Sequence, residues 1–126
     1  MRPHVAVAVL AAAALTVLAF AATALAGSRA KPKLIGVVGK NDAFKISLTS
    51  NGKAVKKLKA GTYTVVIQDD STIHDYEITG PNGKSRDLTS VGFTGTKTFT
   101  LKLTKGKYTA FCAPHASFMF QRFTVT

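Results

Sequence analysis

Beyond residue 33 the chain alternates between apolar and polar side chains. Phe44, Ile46 and Leu48 are interleaved with Lys45, Ser47 and Thr49, and Tyr63, Val65 and Ile67 with Thr64, Val66 and Gln68. Phe99, Leu101 and Leu103 alternate with Thr100, Lys102 and Thr104, and Phe123 and Val125 with Thr124 and Thr126. A period of two sends successive side chains to opposite faces of a strand, so each segment reads as a strand with one face in a core and one in water. Turn signals separate them: Asn51-Gly52, Ala60-Gly61, Gly80-Pro81-Asn82-Gly83, Gly95 and Lys105-Gly106. Nine stretches, at roughly 34–38, 43–49, 54–58, 62–68, 73–79, 91–94, 97–103, 107–112 and 120–126, supply the seven or eight strands that the pattern predicts, the third, the sixth or both being dispensable. Short strands with a turn every 8–12 residues predict an all-β protein, a Greek-key antiparallel β-sandwich.

One segment echoes another. Leu58-Lys59-Ala60-Gly61-Thr62-Tyr63-Thr64 returns as Leu103-Thr104-Lys105-Gly106-Lys107-Tyr108-Thr109. A glycine turn followed by a tyrosine entering a strand is how a tyrosine corner looks in sequence, the phenol tying back to backbone a few residues upstream. The echo is sandwich architecture and not a repeat array.

The start of the chain has a different character. Arg2 precedes an uncharged run, Val5 to Ala26, whose Ala24-Leu25-Ala26 suits a small-x-small cleavage site. Residues 1–26 are therefore expected to be a signal peptide. The run is also long enough to span a bilayer, about 33 Å as a helix, so a retained anchor is the alternative. Residues 27–33 read as a basic linker and 34–126 as one domain. Either fate of the leader implies export, to a periplasm, a cell envelope or the extracellular space.

Composition narrows the chemistry. The 126 residues contain one cysteine, no tryptophan and three histidines, one of them in the leader. A single cysteine rules out a disulfide scaffold, a multi-finger zinc protein and a haem attached through two cysteines. The chain is too short for a dinucleotide-binding domain plus a substrate domain. Lys and Arg number 17 against 6 Asp and Glu, a net +11 that falls to +10 without Arg2. Nucleic-acid binding is the reflex reading of that balance. Export, the absence of interleaved aromatics around Lys53, Lys56, Lys57 and Lys59, and the lack of a binding motif argue against it. A solvated, edge-protecting lysine face accounts for the charge, or steering toward an acidic redox partner or an anionic envelope surface.

The remaining donors fall in two places. His74 lies in Ile73-His74-Asp75-Tyr76, and Cys112, His115 and Met119 share one loop, Cys112-Ala113-Pro114-His115-Ala116-Ser117-Phe118-Met119. Taken singly, a lone cysteine in a β protein is a small buried apolar residue and a lone histidine a surface or satisfied core group. Taken together, both histidines after the leader, the only cysteine and the only methionine after Met1 fall in one pattern. Two imidazoles, a thiolate and a long, weak thioether are the donors of a mononuclear copper site. A second cysteine would be needed for a binuclear centre. Cys–His catalysis lacks an orienting third group and an oxyanion helix.

These residues carry a resemblance. The C-x-x-H-x-x-x-M loop after an aromatic-rich strand, the His-x-aromatic segment upstream of it, the two turn-plus-tyrosine strands and the short last strand resemble the cupredoxins, the plastocyanin, amicyanin and azurin group of exported blue-copper proteins. The resemblance covers residues 58–126 well and 34–57 weakly. It implies one type 1 copper held by His74, Cys112 and His115, with Met119 axial. Two features depart from the family pattern: the three-residue gap between His115 and Met119, and Asp75 where an asparagine usually braces the cysteine loop. The implied role is a monomeric one-electron carrier, not an enzyme, serving an acidic redox partner or an envelope oxidase, with no membrane span once the leader is cut. A copper sequestration or delivery protein and a metal-free interaction module are the alternatives.

Overall fold

The computed structural model describes residues 27–126, and the expected leader, residues 1–26, lies outside the described residues. Ten strands form. In chain order they are β1 (Lys33–Val38), β2 (Ile46–Ser50), β3 (Lys53–Ala54), β4 (Lys57–Leu58), β5 (Gly61–Asp69), β6 (Tyr76–Thr79), β7 (Ser85–Thr89), β8 (Gly95–Leu103), β9 (Gly106–Phe111) and β10 (Phe120–Val125). They build two five-stranded sheets, β3-β2-β1-β5-β8 and β4-β10-β9-β6-β7, packed face to face. The expected all-β sandwich is therefore what the chain adopts. Among the described residues no helix is long and apolar enough to cross a membrane.

Most pairings are antiparallel, the longest being β5 on β8 from Gly61↔Leu103 to Asp69↔Gly95. Two correct the all-antiparallel expectation: β1 runs parallel to β5, and β4 parallel to β10. Parallel neighbours need a crossover connection, and period-two alternation carries no information about strand direction. The crossover from β1 to β5 passes through β2, β3 and β4, and on the way the chain changes sheets. That is why the single strand expected at 54–58 is two short ones in different sheets, with Val55 buried between them.

Four other assignments differ. Residues 91–94 form a turn, with Gly92 N–H donating to Thr72 and Phe93 N–H to Ser90. The strand that sequence missed, β7, reads Ser-Arg-Asp-Leu-Thr, and only Leu88 and Thr89 are buried. An edge strand with one short apolar stretch leaves no alternation to detect. The strand expected at 43–49 starts at Ile46, because Gly39, Asn41 and Asp42 take left-handed backbone angles (φ 68°, 55° and 56°) in a tight turn. Likewise β6 starts at Tyr76 rather than at 73.

Among the described residues the core lies between the sheets: Leu34, Val38, Leu48, Val65 and Ile67 on one side face Tyr76, Ile78, Ala110, Phe123 and Val125 on the other. Both echoed tyrosines are corners. The Tyr63 hydroxyl donates to the Lys59 carbonyl (2.7 Å) and that of Tyr108 to the Thr104 carbonyl (2.9 Å). Two further polar links join the sheets. The Tyr76 hydroxyl, fully buried, donates to the Ser47 carbonyl (2.9 Å). Gln121 on β10 accepts from Leu48 N–H and donates to the Leu48 and Val55 carbonyls, each at 2.9 Å. Strands β5 and β9 end, and β6 and β10 begin, at the same end of the sandwich.

Candidate metal centre

That end brings together the donors that sequence singled out. His74 and Asp75 sit immediately before β6, and Cys112 follows the last residue of β9. A single 3₁₀ turn, Ala113–His115, then carries His115 back toward Cys112, with Pro114 suited to its first turn. The loop is closed by its own backbone: His115 N–H donates to Cys112 (3.1 Å), Met119 N–H to His115 (2.8 Å) and Cys112 N–H to Met119 (3.1 Å). On the facing segment, Gly39 lies so close that a Cβ there would stand 2.5 Å from Ser71 Cβ and 2.8 Å from His74 Cδ2. Only glycine combines that contact with a φ of +68°.

Three donor atoms form a tight triangle. His74 Nδ1 is 3.1 Å from His115 Nδ1, and Cys112 Sγ is 3.6 Å from His74 Nδ1 and 3.5 Å from His115 Nδ1. The point equidistant from atoms so spaced lies about 2.0 Å from each. That is too short for a hydrogen-bonded water in the same plane; it matches the bond length of a first-row metal ion to imidazole and lies within about 0.3 Å of that to thiolate. The donor set therefore fits one transition-metal ion. Met119 is 1% exposed and held inside the same loop by the two bonds just given.

The electrostatics suit a cation. Burial, and then His115 beside it, holds His74 below the usual imidazole range, so a neutral ring offers its lone pair. Burial pushes the Cys112 thiol up, so the thiolate needs a positive partner at its side. A raised thiol flanked by a depressed imidazole is the opposite of an activated nucleophile. Asp75 is buried, and its Oδ1 accepts from Ala113 N–H at 2.6 Å, fastening the β6 entry to the cysteine loop.

Two residues at this end escaped the sequence reading. Phe44, placed there on the inner face of a strand, is half exposed and meets both imidazoles edge-on, with ring centroids 5.0 Å from His74 and 4.9 Å from His115. The Gly39-to-Asp42 turn residues were the signal that the chain at Phe44 is still in a loop. Asp69 at the end of β5 is wholly buried. Its Oδ1 accepts from Ser71 N–H (3.3 Å), its Oδ2 has no hydrogen-bond partner, and burial raises its pKa.

A family model described as copper binding proteins of the plastocyanin/azurin family matches residues 37–126. The chain belongs to this family. The match takes in both sheets, including the N-terminal strands where the sequence resemblance was weak. Among solved structures, this cupredoxin is similar to reduced rusticyanin, with 16% identity over 75% of this chain and 78% of that one and a TM-score of 0.54. It is similar also to rusticyanin from Thiobacillus ferrooxidans, with 18% identity over 75% and 76% and a TM-score of 0.51. At these identities the likeness shows the fold. No curated protein matches the chain in sequence. The family and the His74–Cys112–His115 cluster together make copper the metal of this cupredoxin.

Proposed function

We propose that this cupredoxin is an exported one-electron carrier that holds a single copper ion between His74, Cys112 and His115, with Met119 as the axial donor. The observation that carries the reading is the triangle of Nδ1, Nδ1 and Sγ atoms whose centre lies about 2.0 Å from each corner. Copper supplies the electron exchange, between Cu(II) and Cu(I). The chain supplies a rigid frame: two segments far apart in sequence are pinned by Asp75, by Gly39 and by the closed loop, so the donors keep their places in either oxidation state. Fixed donors mean little rearrangement accompanies transfer.

The exit for the electron is His115, the one member of the triangle that is not fully buried. Around it Phe44 and Phe118 are exposed, with Lys40 and Lys45 beside them. Exposed rings rimmed by lysines suit a small, short-lived contact with a redox protein that offers an apolar patch edged by carboxylates. We assign no turnover chemistry to the site, and the carrier works as a monomer in the cell envelope or outside the cell.

The test is optical and electrochemical. Cu(II) added to the purified protein should give an intense visible thiolate-to-copper band and one copper per chain. Cys112→Ser should abolish the band without unfolding the protein. Met119→Leu should keep the colour and raise the potential, and a colourless Met119→Leu would remove Met119 from its axial role. Voltammetry should be reversible and fast. Tight Cu(I) binding with sluggish exchange would turn the assignment to a copper store or delivery protein, and no band with no bound copper would leave a metal-free module.

A further inference from the structure

We propose that the pole of the sandwich opposite the metal centre is a docking face for an anionic lipid surface, so that the protein sits on a membrane with its metal end turned outward. The charge is sorted along the length of the strands. All six carboxylates lie in the metal half: Asp42 after β1, Asp69 and Asp70 at the end of β5, Asp75 and Glu77 at the start of β6, and Asp87 paired with Glu77 on β7. The far half has no Asp or Glu and most of the lysines. Strand register puts Lys33 opposite Thr64, Lys102 opposite Thr62, and both Lys57 and Lys107 opposite Thr124. Turns place Lys59, Lys84 and Lys105 at the same end, and every one of these side chains is exposed. Strand β5 spans nine residues, so the two poles stand roughly 25 Å apart. That exceeds a Debye length at physiological salt, and the two ends act as separate electrostatic surfaces.

Edge protection does not account for this arrangement. It covers Lys53, Lys57 and Lys102, which lie on the edge strands β3, β4 and β8. Lys33 and Lys107 lie on the inner strands β1 and β9, where no edge needs protecting. Between β7 and β8, moreover, a groove at this pole has Lys84, Arg86 and Lys102 among its lining residues.

Lipid is the occupant because of where the chain enters the fold. Pro32 accepts from Thr64 N–H (2.9 Å) and β1 begins at Lys33, so the polypeptide carrying the apolar run Val5–Ala26 arrives at the basic pole. Gly27 to Pro32 reach about 20 Å when extended. A retained run would tether this pole to the bilayer, and a cleaved one leaves the lysines to hold it there. In both cases His115, Phe44 and Phe118 face away from the membrane, toward a soluble partner.

The experiment uses the chain from Gly27 on, which carries both sheets and every core residue among the described residues. It is sedimented with vesicles of phosphatidylcholine and with vesicles of equal parts phosphatidylcholine and phosphatidylglycerol. Binding is expected to the mixed vesicles alone and to fade as salt is raised. Each basic residue near an anionic surface contributes about fivefold, so the triple variant Lys57→Gln, Lys59→Gln, Lys107→Gln should weaken binding on the order of 100-fold. The control Lys40→Gln, Lys45→Gln, Lys97→Gln, at the metal end, should bind as the parent does. Both variants should keep the copper band, which shows that they are folded and separates this test from that of the metal site. Equal weakening by the two triple variants, or no preference for the mixed vesicles, would overturn the proposal. So would tighter binding to duplex DNA or to an acidic protein than to vesicles at the same salt.

Discussion

At the scale of single residues, the site is tuned by what stands one position away from a ligand. Asp75 follows His74 and binds the Ala113 N–H at 2.6 Å, a bond an asparagine oxygen would also make. The difference is charge: a carboxylate beside the metal favours Cu(II) over Cu(I). Asp75→Asn should therefore raise the reduction potential, on the order of 60 mV for a tenfold change in that preference, while the visible band stays. An unmoved potential would show that the carboxylate only fastens the loop. Asp69 gives a pH signature. Its pKa is raised above 3.8 by burial, so between 3.8 and the folded value the folded chain keeps a proton that the unfolded chain has lost. Stability must then fall as pH rises through that window and level off above it. Asp69→Asn keeps the bond from Ser71 and removes the titration. Denaturant midpoints measured between about pH 4 and 7 should show the parent losing stability relative to the variant as pH rises.

At the scale of elements, pairing between sheets is carried by a few side chains that period-two reading cannot weigh. Gln121 looks in sequence like one more polar residue on a last strand. In the fold it makes three hydrogen bonds to the backbone of Leu48 and Val55 in the opposite sheet. Gln121→Leu leaves the Leu48 N–H and the Val55 carbonyl without this partner near the core, while the Leu48 carbonyl keeps its bond from Val55 N–H, and should cost about 2–3 kcal/mol in chemical unfolding. The inner strands were legible because they alternate cleanly: Tyr63, Val65 and Ile67 are all buried, as are Leu101, Leu103, Phe123 and Val125. Strand β7 was not, because it buries only Leu88 and Thr89 and borrows its pairing from β6. Phe44 was misplaced for a related reason. Its turn takes left-handed angles at Asn41 and Asp42, which shifts where the alternation begins.

At the scale of the whole molecule, the metal centre joins two segments 38 residues apart, the β6 entry and the β9–β10 loop, at one end of the sandwich. Metal that binds the folded chain and not the unfolded one should stabilise the whole domain. At about a hundredfold excess over its dissociation constant copper should raise the thermal midpoint by on the order of 10–20 °C, measured by calorimetry with and without Cu(II). Cys112→Ser should lose most of that increment. A midpoint indifferent to copper would mean that the triangle does not close around the ion.

By itself the sequence determined the fold class, the two tyrosine corners, and which side chains could serve as soft or borderline donors, because alternation, turn chemistry and residue type are properties of short stretches. Only the tertiary structure decided that His74 stands 3.1 Å from His115 and 3.6 Å from Cys112. It alone decided that β1 and β4 take parallel partners, that Phe44 covers the imidazoles, and that the lysines gather at the pole away from the metal. Each of these depends on strand order and register. Those are settled by packing two apolar faces against each other, a condition on the whole chain that no local pattern contains.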